Sequence, residues 1–254
     1  MTTNDSEFVK HLPCTTCSSS DGMALYSDGH TFCFVCNTTT RGTNNNMVDT
    51  SNTRGDLLQG EAISLPKRKL TLETCTKWDY KVAQVNNEPV QVATYYDKKK
   101  RPVFQKLRYK DKQFKTLGDI NHATLYGQNL WNGGGKILCI CEGEIDTCSL
   151  SQLFNHKYAV VGIPNGVNGA VKSLKKQLEF IESYESVIFF FDQDDAGQEC
   201  AKKCAELLSV GKAKIASFDL KDVNEMLVHG LGADVIKAMW EAKTYRPDGV
   251  VAGE

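Results

Sequence analysis

The chain has 254 residues, 41% apolar and 24% charged, a balance that fits a globular protein of one large domain or two unequal ones. No run approaches the roughly 20 apolar residues needed to span a bilayer, and Met1–Lys10 lacks the apolar core of a signal peptide, so a cytosolic protein without a membrane partner is expected. The net charge of −1 hides a split: nine lysines and arginines face one acid between Lys98 and Lys115, and acids gather between Glu142 and Asp222, which suggests a basic surface beside an acidic pocket suited to a polyanion.

Residues 11–37 read as a small metal-dependent unit. Met23–Tyr26 and Thr31–Phe34 alternate about Ser27-Asp28-Gly29-His30, which is a hairpin signal. Cys14-x-x-Cys17 and Cys33-x-x-Cys36 are separated by fifteen residues, the spacing of a structural zinc site. Each pair aims two thiolates at one point, and a segment this short has too small a core to fold without the metal. The other six of the ten cysteines sit singly or in apolar patterns, which favours a reducing compartment over a disulfide scaffold. Asp28 and His30 at the hairpin tip are groups able to read base edges, although His30 serves equally well as an inert surface histidine.

Residues 41–66 are rich in Thr, Asn, Gly and Asp without apolar periodicity and read as a flexible linker, leaving a zinc domain over 1–40 and a catalytic domain over 67–254. That second domain starts with a helix near Leu72–Trp78 and strands at Lys81–Val85, Pro89–Tyr96 and Pro102–Tyr109. Strands at Ile137–Cys141, Tyr158–Val161, Val187–Phe191 and Lys214–Phe218 then alternate with helices at Ile145–Phe154, Ala170–Ile181, Ala196–Leu208 and Ala233–Glu241. This is an α/β pattern: an α+β portion followed by a parallel sheet covered on both faces over about 135–225.

The chemistry falls at strand ends. Glu142-Gly143-Glu144-Ile145-Asp146 follows one apolar strand and Asp192-Gln193-Asp194-Asp195 another, with Asp222 after the last. Ligands bind at that carboxyl edge in open α/β sheets. Converging carboxylates need a cation, and hard oxygen donors suit Mg²⁺ or Mn²⁺. Taken singly, Asp195 fits a helix N-cap, and Glu144 or Asp146 a solvated first-turn acid. Gly133-Gly134-Gly135-Lys136 precedes a strand rather than a helix and is not a phosphate-binding loop.

EGEID followed by DQDDAG resembles the signature of the TOPRIM family, shared by bacterial-type primases, topoisomerases and some nucleases. The cysteine quartet with SDGHTFC, QKLRYKDKQFKT, LWNGG, KDVNE and PDGVV extend the resemblance, in order, to the primase half of phage T-seven-type primase–helicases. The resemblance implies de novo synthesis of short RNA primers from ribonucleoside triphosphates on a single-stranded DNA template, with hand-off to a replicative DNA polymerase. The zinc domain would help select a start signal of the GTC kind. Glu142, Asp146, Asp192, Asp194 and Asp222 would surround the metals, with Glu142, Asp192 and Asp194 catalytic. Lys106, Arg108, Lys112 and Lys115 would hold nucleotides and the DNA backbone. It further implies a fused helicase that this chain lacks, and action in the cytoplasm of an infected bacterial host. A TOPRIM-type nuclease and a non-catalytic zinc module that binds DNA are the rival readings.

Overall fold

The computed structural model describes residues 8–14, 16–26, 30–36, 38–40, 57–110 and 113–246. The chain divides into two compact units, residues 1–51 and 52–254.

In the first unit β1 (Phe8–Leu12), β2 (Met23–Tyr26), β3 (Thr31–Cys33) and β4 (Thr39–Thr40) pair antiparallel in that order. The expected hairpin is β2–β3, while β1 and β4 extend it on either side. Its buried cluster is small, Cys14, Met23 and Cys33 with Leu12, Cys17 and Cys36 packed against them, so the cysteines themselves are most of the core.

The second unit begins before the expected boundary. Residues 41–56 lie outside the described residues, but 57–66 are not linker: Glu61 pairs with Val82 through main-chain bonds of 2.8 and 3.0 Å. The Leu58 amide donates to Gln105 Oε1 at 2.8 Å. Leu58, Ala62 and Leu65 pack on the core, an irregular spacing that carries no periodic signal. Next come α1 (Leu72–Lys77), capped by the Thr71 hydroxyl, and an antiparallel sheet of β5 (Tyr80–Val85), β6 (Glu88–Tyr96), β7 (Pro102–Arg108) and β8 (Phe114–Gly118). β8 is absent from the expected strands because it is an exposed edge strand with little apolar alternation.

The rest forms the α/β layer. β9 (Gly135–Cys141), α2 (Glu144–Leu153), β10 (Ala159–Gly162), α3 (Gly166–Lys176) and α4 (Leu178–Glu182) lead to β11 (Tyr184–Phe190) and α5 (Asp195–Ala205). Then follow β12 (Ala213–Ile215), α6 (Val223–Val228), α7 (Gly232–Glu241) and β13 (Lys243–Thr244). The sheet order is β10-β9-β11-β12-β13, parallel except for β13 at the edge. Strand residues alternate between two cores with the period of the pleat. Cys139, Cys141, Val160, Ile188 and Phe190 pack towards α1, α2, α6 and α7. Leu138, Ile140, Val161, Val187 and Phe189 pack towards α3, α4 and α5. The helix expected over Ala170–Ile181 breaks at Gln177, whose backbone leaves the helical region and whose carbonyl side chain accepts from Gln128. The Lys214–Phe218 strand stops at Ile215, and α6 was not foreseen.

Candidate active site and metal centre

In the first unit Cys14, Cys17, Cys33 and Cys36 bring all four Sγ atoms within 4.8 Å of one another. Cys14 Sγ lies 3.6 Å from Cys36 Sγ, and Cys17 Sγ lies 3.7 Å from Cys33 Sγ. A tetrahedron of sulfurs about 2.3 Å from a metal has edges of about 3.8 Å, so the quartet fits such an ion. The Cys17 amide facing Cys14 holds its thiol down at about 6 and the Thr38 hydroxyl lowers Cys36, whereas burial and the neighbouring sulfurs push Cys17 up, as expected of thiols crowded together without a cation between them. His30 stacks on Tyr26, ring centroids 4.2 Å apart and 5° from parallel. Asp28 lies outside the described residues.

In the second unit register aligns the acids. Cys141 is opposite Phe190 and Gly162, so Glu142 and Asp192 leave neighbouring strands at nearly the same level. Glu142 Oε2 is buried without a hydrogen-bond partner. Burial, then the charge of Asp192, pushes Glu142 up to about 7. Burial raises Asp192 as well, with Asp222 adding to it. The Asp146 carboxyl is raised by burial and then by Asp222, while its Oδ1 accepts the Asn224 amide at 3.0 Å.

Asp194 differs. It, and not Asp195, is the N-cap of α5: its Oδ1 accepts the Gly197 amide at 2.9 Å, and that bond holds its pKa low. Asp222 caps α6 in the same way, accepting the Glu225 amide at 2.7 Å. Each cap leaves one carboxylate oxygen for other partners. Lys221, which is not among the residues expected at the site, places its Nζ 3.1 Å from Asp194 Oδ2 and 3.5 Å from Asp192 Oδ2. An ammonium group thus stands between two acids that face one another. The only signal for it in the sequence is a lysine beside Asp222.

The solvated reading of Glu144 is overturned, while Asp146 is half-buried with one oxygen held by the Asn224 amide. Glu144 is 8% exposed, accepts the Tyr95 hydroxyl, and pairs with Lys106 Nζ at 2.9 Å. Lys106 also donates to the Pro164 carbonyl at 3.2 Å, so it is already committed within the unit. Arg108 and Lys115 lie over the Phe114 and Tyr109 rings at 5.7 and 5.1 Å; Lys112 is outside the described residues. Two adjoining cavities, which share Thr124, Lys176 and Gln177, run from Pro164 and Asn165 to Lys98, Lys100 and Trp131.

The acidic donors fit a hard divalent cation by chemistry, with an orphaned Glu142 oxygen among them. They are not drawn into a closed ligand cluster as the cysteines are, which among the described residues form the group able to hold a metal as it stands.

Known proteins match in the same order. The family described as "Bacteriophage T7 DNA helicase/primase, N-terminal a+b fold" matches residues 60–118, and the Toprim-like family matches residues 139–227. The crystal structure of the primase fragment of the bacteriophage T7 primase–helicase is 37% identical, with TM-score 0.70, over 92% of this chain and 100% of that one. The chain belongs to the T7-type phage primase family.

A second T7-type primase structure, of lagging-strand DNA polymerase interacting with primase domains bound to an RNA/DNA hybrid and dTTP, contains a chain 36% identical. It covers 74% of this chain and 95% of its own, with TM-score 0.70. The DNA helicase/primase of Enterobacteria phage T3 is 37% identical over 98% of this chain. The chain spans 46% of that relative's length. The fold expectation, α/β with a TOPRIM core and a small β unit around a cysteine cluster, is borne out.

Proposed function

We propose that the chain is a nucleotidyltransferase, a DNA primase that starts short RNA primers de novo on single-stranded DNA. The observation that carries this is the convergence of Glu142, Asp146, Asp192, Asp194 and Asp222 at one sheet edge, in a chain that spans the whole T7 primase fragment. Those five carboxylates would hold Mg²⁺ or Mn²⁺, which would supply Lewis-acid neutralisation of triphosphate charge and ease ionisation of a 3′-hydroxyl. Glu142, held near neutrality with a free oxygen, accepts the proton of the first nucleotide's 3′-hydroxyl. The oxygen bonds to the α-phosphorus of the second ribonucleotide as pyrophosphate leaves. Arg108, Lys112 and Lys115 neutralise the triphosphates, and Lys106 fixes Glu144 beside them. The groove that carries Lys98, Lys100 and Lys176, with Asp97 and Glu179 beside them, is the path we assign to a template strand. With no primer to hold the first nucleotide, positioning carries much of the rate.

The cysteine quartet would hold structural Zn²⁺, and Asp28 and His30 are the residues we assign to template recognition. The implied partners are the replicative DNA polymerase that receives the primer and the helicase part found in longer relatives, in the cytoplasm of the infected host. The test is synthesis from labelled ATP and ribonucleotides on single-stranded DNA bearing a GTC-type site, with Mg²⁺. Short RNA is expected, lost in Asp192→Ala, and either sequence-blind or failing to start in Cys33→Ser. Metal-dependent nicking of DNA with no RNA on any template would replace the primase by a nuclease.

A further inference from the structure

One buried side chain ties the acidic site to the segment through which the chain enters the second unit. Asn224 is 1% exposed and lies in the first turn of α6. Its Nδ2 donates to the Arg68 carbonyl and to Ser149 Oγ, both at 2.9 Å, and its Oδ1 accepts from Arg68 Nη1 at 3.0 Å. Its main-chain amide donates to Asp146 Oδ1 at 3.0 Å. Packing alone would be served by an apolar residue; an amide bonded to two other segments fixes a geometry.

The turn it fixes touches most of the acids. Asp222 caps the turn, and Glu225 accepts the Lys221 amide at 3.0 Å, closing it from the other side. Lys221 pairs with Asp192 and Asp194, and the Lys221 carbonyl accepts the Gln193 amide at 2.8 Å. Residues 221–225 therefore bear on Asp146, Asp192, Asp194 and Asp222 together. We propose that Asn224 is a positioning residue of the metal site: it locks the 221–225 turn against Arg68 and Ser149, and so sets the spacing of four acids. The inference rests on the reading of those acids as metal ligands.

The experiment uses the full chain and Mn²⁺ as the probe. Binding is read by the electron paramagnetic resonance of free Mn²⁺, alongside primer synthesis against Mg²⁺ concentration and hydrogen exchange over 61–70. Asn224→Ala is expected to weaken Mn²⁺ binding by about ten- to a hundredfold, as loss of a ligand-orienting partner does. The Mg²⁺ needed for half-maximal rate rises in step, turnover at saturating Mg²⁺ falls less, and exchange at 61–70 quickens. Ser149→Ala removes one partner of the amide and leaves the Arg68 and Asp146 links, so it is expected to weaken Mn²⁺ in the same direction but less than Asn224→Ala does. Should Asn224→Ala not fold, Arg68→Ala releases the same Oδ1 from the surface side and is expected to weaken Mn²⁺ in the same direction. Wild-type Mn²⁺ affinity in the folded variant, even with a lowered melting temperature, overturns the positioning role alone. Mn²⁺ binding by the wild type that ignores Asp192→Ala overturns the metal reading, and this inference with it.

Discussion

Glu142 pairs a buried, unpartnered oxygen with a pKa pushed up to about 7 by burial and by Asp192. Its ionised form at neutral pH therefore opposes folding, because the folded state prefers the proton. Glu142→Gln is expected to cut primer synthesis by at least about a hundredfold, the scale of a lost general base. The same variant, without added magnesium or manganese, is expected to melt no lower than the wild type at pH 7. A melting temperature several degrees lower would show that Glu142 is structural. The strand-end position of Glu142 was legible because an apolar run ends at Cys141. The division of labour between Asp194 and Asp195 was not, since it turns on the residue at which an extended chain becomes a helix. Lys221 was invisible for a different reason: its partners lie 27 and 29 residues away in sequence.

At the scale of elements, the parallel strands were readable because burial on both faces leaves near-continuous apolar runs. α6 was shorter than a periodicity window, yet it carried a signal: Asp222-x-x-Glu225 is a capping-box spacing, and both side chains are used in the first turn. Gly127 shows a demand set by a neighbouring element. Its φ is +74°, and a Cβ there would stand 1.9 Å from Trp78 Cζ3. The Trp78 ring belongs to the C-cap of α1 and lies 5.6 Å from the Tyr126 ring, so backbone and indole must approach closely. Gly127→Ala is expected to lower stability by more than about 2 kcal/mol, since left-handed strain and a clash act together. Urea denaturation measures it; an unchanged midpoint would mean that the Trp78 ring moves freely aside.

At the scale of the whole molecule, two units carry two kinds of stability. The first unit has a core made largely of thiols, and the structural zinc ion proposed for it would contribute on the order of 10–16 kcal/mol to folding. Chelation is expected to unfold this unit and leave the cooperative melt of residues 57–246 in place, followed by NMR of resolved signals from each unit. Simultaneous collapse of both would contradict the division. The cysteine quartet, the alternation of strand and helix and the strand ends that bear Glu142 and Asp192 can all be read along the chain, because ligand spacing, two-faced burial and strand polarity are local properties. That residues 57–66 belong to the second unit, that Lys106 is held by Glu144, and that Asn224 joins Arg68 to Asp146 emerges in three dimensions alone. Those pairings join residues 38 to 156 positions apart, and no local pattern encodes which distant polar group will satisfy a buried one.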